Sequence, residues 1–391
     1  MRATATPIYL DNAATSFPKP EAVYAAVDHY QRELGAPAGR GAYQRALQVS
    51  ALVERTRTLL ARMFHVEHSA RLIFTKNATE GLNGVLQGLL RQGDHVITSN
   101  LEHNSVVRPL HALQQSRGIE VTTIPAQPSG IVSATDFQSA LRHNTRLIVL
   151  THASNVTGAI QPVEEVGAVA RTAGVRFLVD AAQTAGHLPI DVAQLPVDYL
   201  VAAGHKGLLG PLGTGILYIR PGQELDLEPW FTGGTGSHSE DPNQPHGLPE
   251  KYESGNLNAP GIIGLGAAAE YLLEHPPESQ RAHELALLTQ FREGLQSIPG
   301  LKLYLPENVE EQVGVVSLNV GDVDPHTIAT ILDQNFGLEV RAGLHCAPGA
   351  HRHIGSFEQG GAVRFSFGPF TTSEHITRAV DALTEIAVAF P

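Results

Sequence analysis

Four side chains able to do covalent or proton-transfer chemistry stand in short sequence motifs. Lys206 lies in AAGHKGLLG, Asp180 in LVDAAQ, and His103 in NLEHNS. Cys346, the single cysteine of the 391-residue chain, lies in AGLHCAPG. A lysine among small residues can lose solvation, which lowers its pKa and makes the amine nucleophilic toward aldehydes. A carboxylate at the end of an apolar strand can hold a cationic nitrogen, although an aspartate there more often caps a helix or closes a turn.

A fifth motif, TKNATEGLN at residues 75–83, follows an apolar run and opens a helical pattern. The N–H groups of Ala78, Thr79 and Glu80 at this helix start, with the Thr79 hydroxyl, can receive a phosphate. A plain helix cap is the alternative for this motif taken alone. Along the chain the candidate groups follow in the order phosphate motif, His103, Asn155, Asp180, Gln183, His205 and Lys206.

This ordered set matches what pyridoxal phosphate (PLP) needs. Asp180 can keep the pyridine nitrogen protonated, so that the ring acts as an electron sink. Lys206 can hold the aldehyde as a Schiff base, and the His103 imidazole can stack on the ring and move protons. The amide side chains of Asn155 and Gln183 can hold the ring hydroxyl.

The elements that must position these groups alternate between β-rich runs and helical stretches. The predicted strands lie at 71–75, 94–99, 119–124, 145–151, 175–180, 198–204 and 213–219. Strands that are apolar on both faces and alternate with helices indicate an α/β fold with a mainly parallel sheet. In such sheets functional groups collect at the carboxyl ends of the strands, which is where the candidate groups occur.

The remainder of the chain predicts a second domain. Residues 228–260 carry Gly, Pro and polar residues without a clear period, which indicates a mobile or functional loop. It is followed by helical runs at 261–275 and 281–298, strand-like runs at 313–320, 338–342 and 362–368, and a final helix from residue 373. We expect a large domain at 18–260 and a small C-terminal domain at 261–391, with 1–17 packing on the small domain.

Composition excludes several classes of function. The net charge of −12, from 27 Lys and Arg against 39 Asp and Glu, argues against nucleic acid or an anionic membrane as the main partner. No apolar run approaches the roughly 20 residues of a membrane span. One cysteine forms no intrachain disulfide, so the expected location is the reducing cytoplasm.

Six motifs together resemble a known family. They are LDNAAT (10–15), ATEGLN (78–83), SNVTG (154–158), DAAQ (180–183), GHK (204–206) and RAGLHCAP (341–348). In this order they are similar to the class V, fold-type I PLP enzymes, above all to group II cysteine desulfurases and selenocysteine lyases. The resemblance covers nearly the whole chain. It implies a fold-type I PLP-dependent transferase, with a mainly parallel seven-stranded sheet in the large domain and a small α+β C-terminal domain.

The resemblance also implies a role for each matching position. The implied catalytic residues are Cys346, Lys206 and His103. The implied cofactor-binding residues are Ala78, Thr79, His103, Asn155, Asp180, Gln183, His205, Lys206 and Asn256. The implied substrate-binding residues are Arg364, Arg341, Asn155 and Ala13. No metal is expected.

The implied reaction converts L-cysteine to L-alanine. A persulfide forms on Cys346, and its sulfur passes to an acceptor, for example in iron–sulfur cluster biogenesis. Relatives are homodimers that borrow loop residues from the partner, and Gly234 and Thr235 are the candidates here. Two positions depart from the family pattern. Ala203 lacks a hydroxyl, so one phosphate contact should be missing, and Asn256 replaces a threonine that reaches the partner's phosphate.

The loop around Cys346 fits a sulfur nucleophile. Its glycine flanks predict reach, and Arg341 and His345 are neighbours whose positive charge would favour the thiolate. A buried, inert cysteine is one alternative. A metal site with His345, His351 and His353 is another, although zinc sites usually have tighter spacing.

Other functions stay open at this point. Selenocysteine lyase activity needs the same cofactor and cysteine loop. Another class V reaction, such as transamination, needs no thiol at position 346. A non-catalytic scaffold or sulfur-carrier binding protein would not need the lysine, aspartate, histidine and cysteine together.

Overall fold

A computed structural model of the chain describes residues 7–39, 41–236 and 240–390. Its helices are α1 Glu21–His29, α2 Gln44–Met63, α3 Ala78–Leu89, α4 Asn104–Arg117, α5 Ala134–Ser139, α6 Val163–Ala173, α7 Ala259–Glu274, α8 Pro277–Gln296, α9 Pro325–Phe336, α10 Pro348–His353 and α11 Ser373–Ala389. Its strands are β1 Ile8–Tyr9, β2 Leu72–Thr75, β3 His95–Ser99, β4 Glu120–Ile124, β5 Thr145–Thr151, β6 Arg176–Asp180, β7 Tyr199–Ala203, β8 Gly215–Ile219, β9 Leu301–Tyr304, β10 Val315–Val320, β11 Leu338–Glu339, β12 Arg341–Gly343 and β13 Ala362–Ser366. Within the described ranges, no helix combines the length and apolar character that crossing a membrane requires.

Seven strands form one sheet in the order β2-β8-β7-β6-β5-β3-β4. Strands β4, β3, β5, β6 and β7 run parallel, and β8 lies antiparallel between β7 and β2. The central strands are buried over almost their whole length because helices cover both faces, which explains their continuous runs of Val, Ile and Leu. The predicted mainly parallel seven-stranded sheet is confirmed.

The carboxyl ends of the parallel strands bring distant parts of the chain to one edge of the sheet. Strand β3 ends at Ser99, β5 at Thr151, β6 at Asp180 and β7 at Ala203. The loops that follow these four ends carry most of the candidate groups. The predicted carboxyl ends match the observed ones except at β7, which ends one residue earlier, whereas the predicted starts lie one or two residues too early except at β5.

A second sheet, in the order β12-β13-β10-β9, is antiparallel throughout. Phe291 of α8, Phe365 of β13 and Leu383 of α11 belong to its core. Ile8 and Leu10 lie in the same core, and β1 pairs in parallel with β11. This is the predicted small α+β domain. Strand β9 and helix α10 were not predicted, because elements of four and six residues contain too few apolar residues to define a period. Helix α9, with 12 residues, was also missed.

Helix α7 begins at the predicted domain boundary but packs on α1 and α2. Its Ile262 and Leu265 belong to the same buried cluster as Leu60 of α2. The division into 18–260 and 261–391 therefore stays a prediction, and this packing favours a boundary after α7.

The Gly- and Pro-rich segment 228–260 is anchored to the large domain near its two ends. Trp230 stacks on Tyr252, with the ring centroids 5.0 Å apart. Glu253 accepts hydrogen bonds of 2.7 and 2.9 Å from the buried Arg57 of α2. These contacts fix the flanks of the segment even though its described part contains no helix or strand before α7 begins at Ala259.

Candidate active site

A cavity of about 200 Å³ lies at the carboxyl edge of the seven-stranded sheet, bordered by the N-terminal segment and the small domain. Its lining includes the predicted residues Ala13, Ala78, Thr79, His103, Asn155, Asp180, Gln183, His205, Lys206, Arg341 and Arg364. Two predicted site residues, Cys346 and Asn256, lie outside this lining. The fold thus gathers side chains from almost the whole length of the chain.

Lys206 and Asp180 both line this cavity. The buried Asp180 carboxylate accepts a hydrogen bond of 3.0 Å from the Ala182 N–H. Burial raises the pKa of Asp180, while the Ala182 N–H and the positive charge of Lys206 act in the opposite direction. Burial lowers the pKa of Lys206 to about 8, and Asp180 partly offsets this while Arg364 adds to it. A substantial neutral fraction of the amine is therefore present near neutral pH, as a nucleophile toward an aldehyde requires.

His103 is an oriented, neutral imidazole at the cavity wall. It is the N-cap of α4, and its Nδ1 accepts a hydrogen bond of 3.0 Å from the Ser105 N–H. Ser105 Oγ lies 2.8 Å from the same nitrogen and 2.7 Å from Thr79 Oγ1. Burial lowers the pKa of His103 to about 4, with Lys206 contributing next. Since Nδ1 is an acceptor, the neutral ring carries its proton on Nε2.

The N-terminus of α3 forms one end of the cavity. Asn77 caps this helix by accepting a hydrogen bond of 2.9 Å from the Glu80 N–H. The N–H groups of Ala78 and Thr79 lie in the first turn, where an α-helix offers them no internal acceptor. His205 Nδ1 is buried without a hydrogen-bond partner. Helix N–H groups, a hydroxyl and an unpaired imidazole nitrogen suit a phosphate group.

Two arginines border the opposite part of the cavity. Arg364 of β13 is only 1% exposed, and its Nη2 donates to Asp11 Oδ1 at 2.7 Å. Its Nη1 donates to the Asn155 carbonyl oxygen at 3.1 Å, and its Nε is buried without a partner. Arg341 of β12 lies directly opposite Arg364 in the strand register. A carboxylate bound here would satisfy the unpaired Nε.

Cys346 is exposed and faces a groove of about 680 Å³ that adjoins the cavity. Thr79, His103 and Ser105 line both the cavity and the groove, so they form a common rim. The thiol lies across this rim from Lys206, and it must cross the rim to reach a molecule in the cavity.

The backbone around Cys346 is tightly held, whereas its glycine flanks predicted a loop with long reach. The Asn104 N–H donates to the Cys346 carbonyl oxygen at 2.7 Å, and Asn155 Nδ2 donates to the His345 carbonyl oxygen at 2.6 Å. His345 and Cys346 both have left-handed backbone angles, with φ of 48° and 58°. Rotation of the cysteine side chain is therefore the simplest movement of the thiol.

The expectation that His345 brings positive charge to the thiol is wrong. His345 is 3% exposed, and burial together with Arg364 and His351 keeps its pKa well below the usual value. Its Nδ1 lies 3.1 Å from His351 Nε2. Among the residues that the structure describes, no group of three or more His, Cys, Asp or Glu residues is placed to hold a metal ion.

The predicted partner-facing residues lie away from the cavity. Asn256 is exposed, and neither Gly234 nor Thr235 lines the cavity. The Gly255 N–H donates to the Gly234 carbonyl oxygen at 2.9 Å. Their contact with a partner's phosphate stays a prediction. Ala203 does line the cavity and, as expected, adds no hydroxyl.

Three polar residues around the site were missed from the sequence. Asp11 binds Arg364, and Ser105 connects His103 to Thr79 at the start of α3. Glu102 is buried, its Oε1 accepts a hydrogen bond of 3.1 Å from the Thr151 N–H, and burial raises its pKa to about 8. Asp11 and Glu102 lie inside the motifs LDNAAT and NLEHNS, so a carboxylate beside apolar residues was the available signal.

A lysine and an aspartate at the edge of a mainly parallel sheet, closed by a small α+β domain, define the fold-type I class of PLP enzymes. The family model for class-V aminotransferases matches residues 8–379. The chain therefore belongs to the class-V aminotransferase family, in its cysteine desulfurase branch.

Individual relatives place it in this branch. A probable cysteine desulfurase of Methanothermobacter thermautotrophicus is 38% identical, covering 97% of this chain and 94% of that protein. A cysteine desulfurase of Escherichia coli O157:H7 is 33% identical, covering 97% and 93%. The apo structure of a cysteine desulfurase from Thermococcus onnurineus superposes with a TM-score of 0.91 at 33% identity, covering 98% and 95%.

Proposed function

We propose that this protein is a PLP-dependent cysteine desulfurase that converts L-cysteine to L-alanine and carries the sulfur on Cys346. One observation carries this proposal: an exposed single thiol stands at the rim of a cavity that holds a lysine, an aspartate and a buried arginine. The relatives that carry the same name support it.

The residues present fit PLP. Asp180 would pair with the pyridine nitrogen, Lys206 would hold the aldehyde carbon, and His103 would stack on the ring. Gln183 Nε2 donates to the Ala13 carbonyl oxygen at 3.1 Å and keeps its second amide hydrogen for the ring hydroxyl. Bound there, PLP supplies an electron sink for negative charge that develops at the substrate Cα.

The chain's own groups bind the substrate and move its protons. Arg364 would bind the carboxylate through its unpaired Nε, with Asp11 fixing the guanidinium plane. Lys206 Nζ, once the substrate amine has replaced it, would take the α-proton. Its pKa of about 8 suits a base that must later return a proton.

Sulfur transfer would use the thiolate of Cys346. Cys346 Sγ forms a bond to the substrate sulfur while the bond between that sulfur and the substrate Cβ breaks. The electron pair of the broken bond goes to Cβ, which takes up a proton, and L-alanine leaves. A persulfide stays on Cys346 and faces the groove, where an acceptor thiol can take the terminal sulfur.

Partners and location form part of the same proposal. Asn256, Gly234 and Thr235 would complete the phosphate site of a second subunit in a homodimer. A sulfur-acceptor protein would dock at the groove, and iron–sulfur cluster biogenesis is one destination for the sulfur. A thiol that must stay reduced between turnovers favours the reducing cytoplasm.

The deciding experiment measures alanine and sulfide release from L-cysteine with a reductant, for PLP-loaded wild type and Cys346→Ala. We expect both products from wild type and neither from the variant, while the variant keeps its cofactor absorbance. Equal alanine release by both proteins would contradict the role of Cys346 and favour another class V reaction. Products from selenocysteine alone would identify a selenocysteine lyase.

A further inference from the structure

Behind the turn formed by His345 and Cys346 lies a buried hydrogen-bond network of three polar side chains, which the reaction described above does not use. His345 Nδ1 lies 3.1 Å from His351 Nε2, and His351 Nδ1 lies 2.7 Å from Ser356 Oγ. His345 is 3% exposed, and His351 and Ser356 are fully buried. Two imidazoles in direct contact inside a protein require a definite arrangement of protons.

The contacts at the two ends of this side-chain network fix that arrangement. His345 Nε2 approaches the Arg341 carbonyl oxygen at 3.5 Å, and a carbonyl can only accept, so Nε2 carries the hydrogen of the His345 ring. Its Nδ1 is then an acceptor and His351 Nε2–H is the donor. His351 Nδ1 in turn accepts from the Ser356 hydroxyl. Both rings are neutral, because burial lowers the pKa of His351 to about 4 and that of His345 well below its usual value.

At its Ser356 end, this network is attached to a rigid part of the molecule. His351 lies on α10, which begins two residues after Cys346. Gly349 of the same helix packs so closely on the loop after β3 that a Cβ there would lie 2.3 Å from the Asn100 carbonyl oxygen. Ser356 is fixed through its backbone, since its N–H donates to the His351 carbonyl oxygen at 3.0 Å.

At its His345 end, this network meets a part of the backbone that needs support. His345 and Cys346 occupy the left-handed region, which side chains with a Cβ rarely adopt without restraint. Hydrogen bonds from Asn104 and Asn155 hold the carbonyl oxygens of this turn from the large-domain side. His351, on helix α10, holds the His345 side chain.

We propose that His351 is a positioning residue for sulfur transfer: its Nε2–H fixes the His345 imidazole and so keeps Cys346 in the backbone conformation that presents the thiol at the rim. The proposal rests on the proposed desulfurase function. It separates two parts of the reaction, because His351 lines neither the cavity nor the groove and acts on the site only through His345.

The test compares His351→Gln, His351→Asn and His351→Leu in the PLP-loaded protein. A glutamine amide can reach the position of Nε2 and donate to His345, whereas an asparagine amide reaches only the position of Nδ1. We expect His351→Leu and His351→Asn to lower kcat at least tenfold, with KM and cofactor absorbance within twofold of wild type. His351→Gln should recover most of the lost kcat.

Iodoacetamide labelling supplies a readout that does not depend on turnover, since Cys346 is the single thiol. Release of the turn should raise the labelling rate at least twofold in His351→Leu and leave it unchanged in His351→Gln. His353→Gln is the matched control, because His353 lies on the same helix and its Nε2 contacts the Gln127 carbonyl oxygen at 3.0 Å instead.

Two results would overturn the proposal. Unchanged kcat and labelling in His351→Leu would show that the turn needs no support from His351. Loss of cofactor absorbance in all three variants would show a general structural role. If wild type itself releases no alanine from L-cysteine, the proposed function fails, and the labelling comparison still decides whether His351 holds the turn.

Discussion

Lys206 illustrates how burial serves chemistry at the scale of one residue. The folded protein surrounds this amine with other atoms and two nearby arginines, and its pKa falls to about 8. The same surroundings penalise the charged amine, so the residue that provides reactivity also reduces stability. Asp180 limits the penalty, while the Ala182 N–H and Lys206 in turn partly offset the rise that burial causes in the pKa of Asp180.

This penalty predicts a pH-dependent stability difference between apo wild type and apo Lys206→Met. A lysine pKa that is lower in the folded state destabilises the fold fully below pH 8, and the effect disappears as the pH rises toward 10.5. We expect the variant to be more stable at pH 7, by up to about 3 kcal/mol from the size of the pKa shift. Urea unfolding at pH 7 and pH 10 measures the difference, and an equal gain at both values would contradict this origin.

Asp180 predicts a change in cofactor chemistry without loss of the fold. Asp180→Asn keeps an acceptor oxygen for the Ala182 N–H but cannot hold a protonated pyridine nitrogen. We expect kcat to fall at least a hundredfold while PLP still binds. Alanine release and the absorbance of the bound cofactor check this, and Asp198→Asn, outside the cavity lining, is a control with an aspartate before β7.

At the scale of elements, the buried Arg57–Glu253 pair joins helix α2 to the long segment after β8. Both side chains are at most 5% exposed, and Glu253 also accepts a hydrogen bond of 2.6 Å from the Phe74 N–H. Removing one partner of such a buried pair lowers the stability of the fold much more than replacing both partners. It therefore holds the segment 228–260 in its described conformation.

Arg57→Ala should lower the free energy of unfolding by about 3 to 5 kcal/mol, because it leaves the Glu253 carboxylate buried without its cation. Arg55→Ala is the matched control, two residues earlier on α2, where Arg55 pairs with Glu270 in an exposed position. That change should cost less than about 1 kcal/mol. Chemical denaturation measures both, and similar losses would show that burial of the Arg57 pair has no special effect.

How far the elements could be predicted depends on their local signal. Strand β5 was predicted to the residue because a continuous apolar run ends abruptly at polar positions. Residues 338–342 were predicted as one run, and the structure divides them into β11, which pairs with the N-terminal segment, and β12, which pairs with β13. That division depends on partners far away in the sequence, and no local pattern contains it.

At the scale of the whole molecule, the N-terminal segment packs on the small domain and contacts Arg364 at the cavity. Ile8 and Leu10 are buried in the small-domain core, and the next residue, Asp11, binds Arg364 at 2.7 Å. The placement of Arg364 therefore depends on a contact between residues separated by 353 positions.

Asp11→Asn should raise the KM for L-cysteine about tenfold, since a hydrogen bond between charged groups is worth roughly 1.5 to 3 kcal/mol. The cofactor absorbance should change little, whereas the free energy of unfolding should fall, because Arg364 stays buried beside a neutral amide. Steady-state kinetics measure the effect. Asp28→Asn is the control, since Asp28 of α1 pairs with Arg32 in an exposed position, and an equal change there would contradict the assignment.

The candidate site was largely predictable because its residues follow strand ends in a fixed order. Lys206, Asp180 and His103 were found in this way and line one cavity. The location of Cys346 outside that cavity, and the neutral state of His345, were not predictable, since both depend on burial and contacts between the two domains.

The pairing of β1 with β11 has a consequence for synthesis on the ribosome. Ile8 meets Leu338, so the first strand leaves the ribosome some 330 residues before its partner does. At about 5 to 20 residues per second, this means a wait of roughly 15 to 65 seconds. During this time the side chains of Ile8 and Leu10, which the folded protein buries in the small-domain core, have no native partner. A chaperone that binds short apolar segments would be able to cover them throughout this wait.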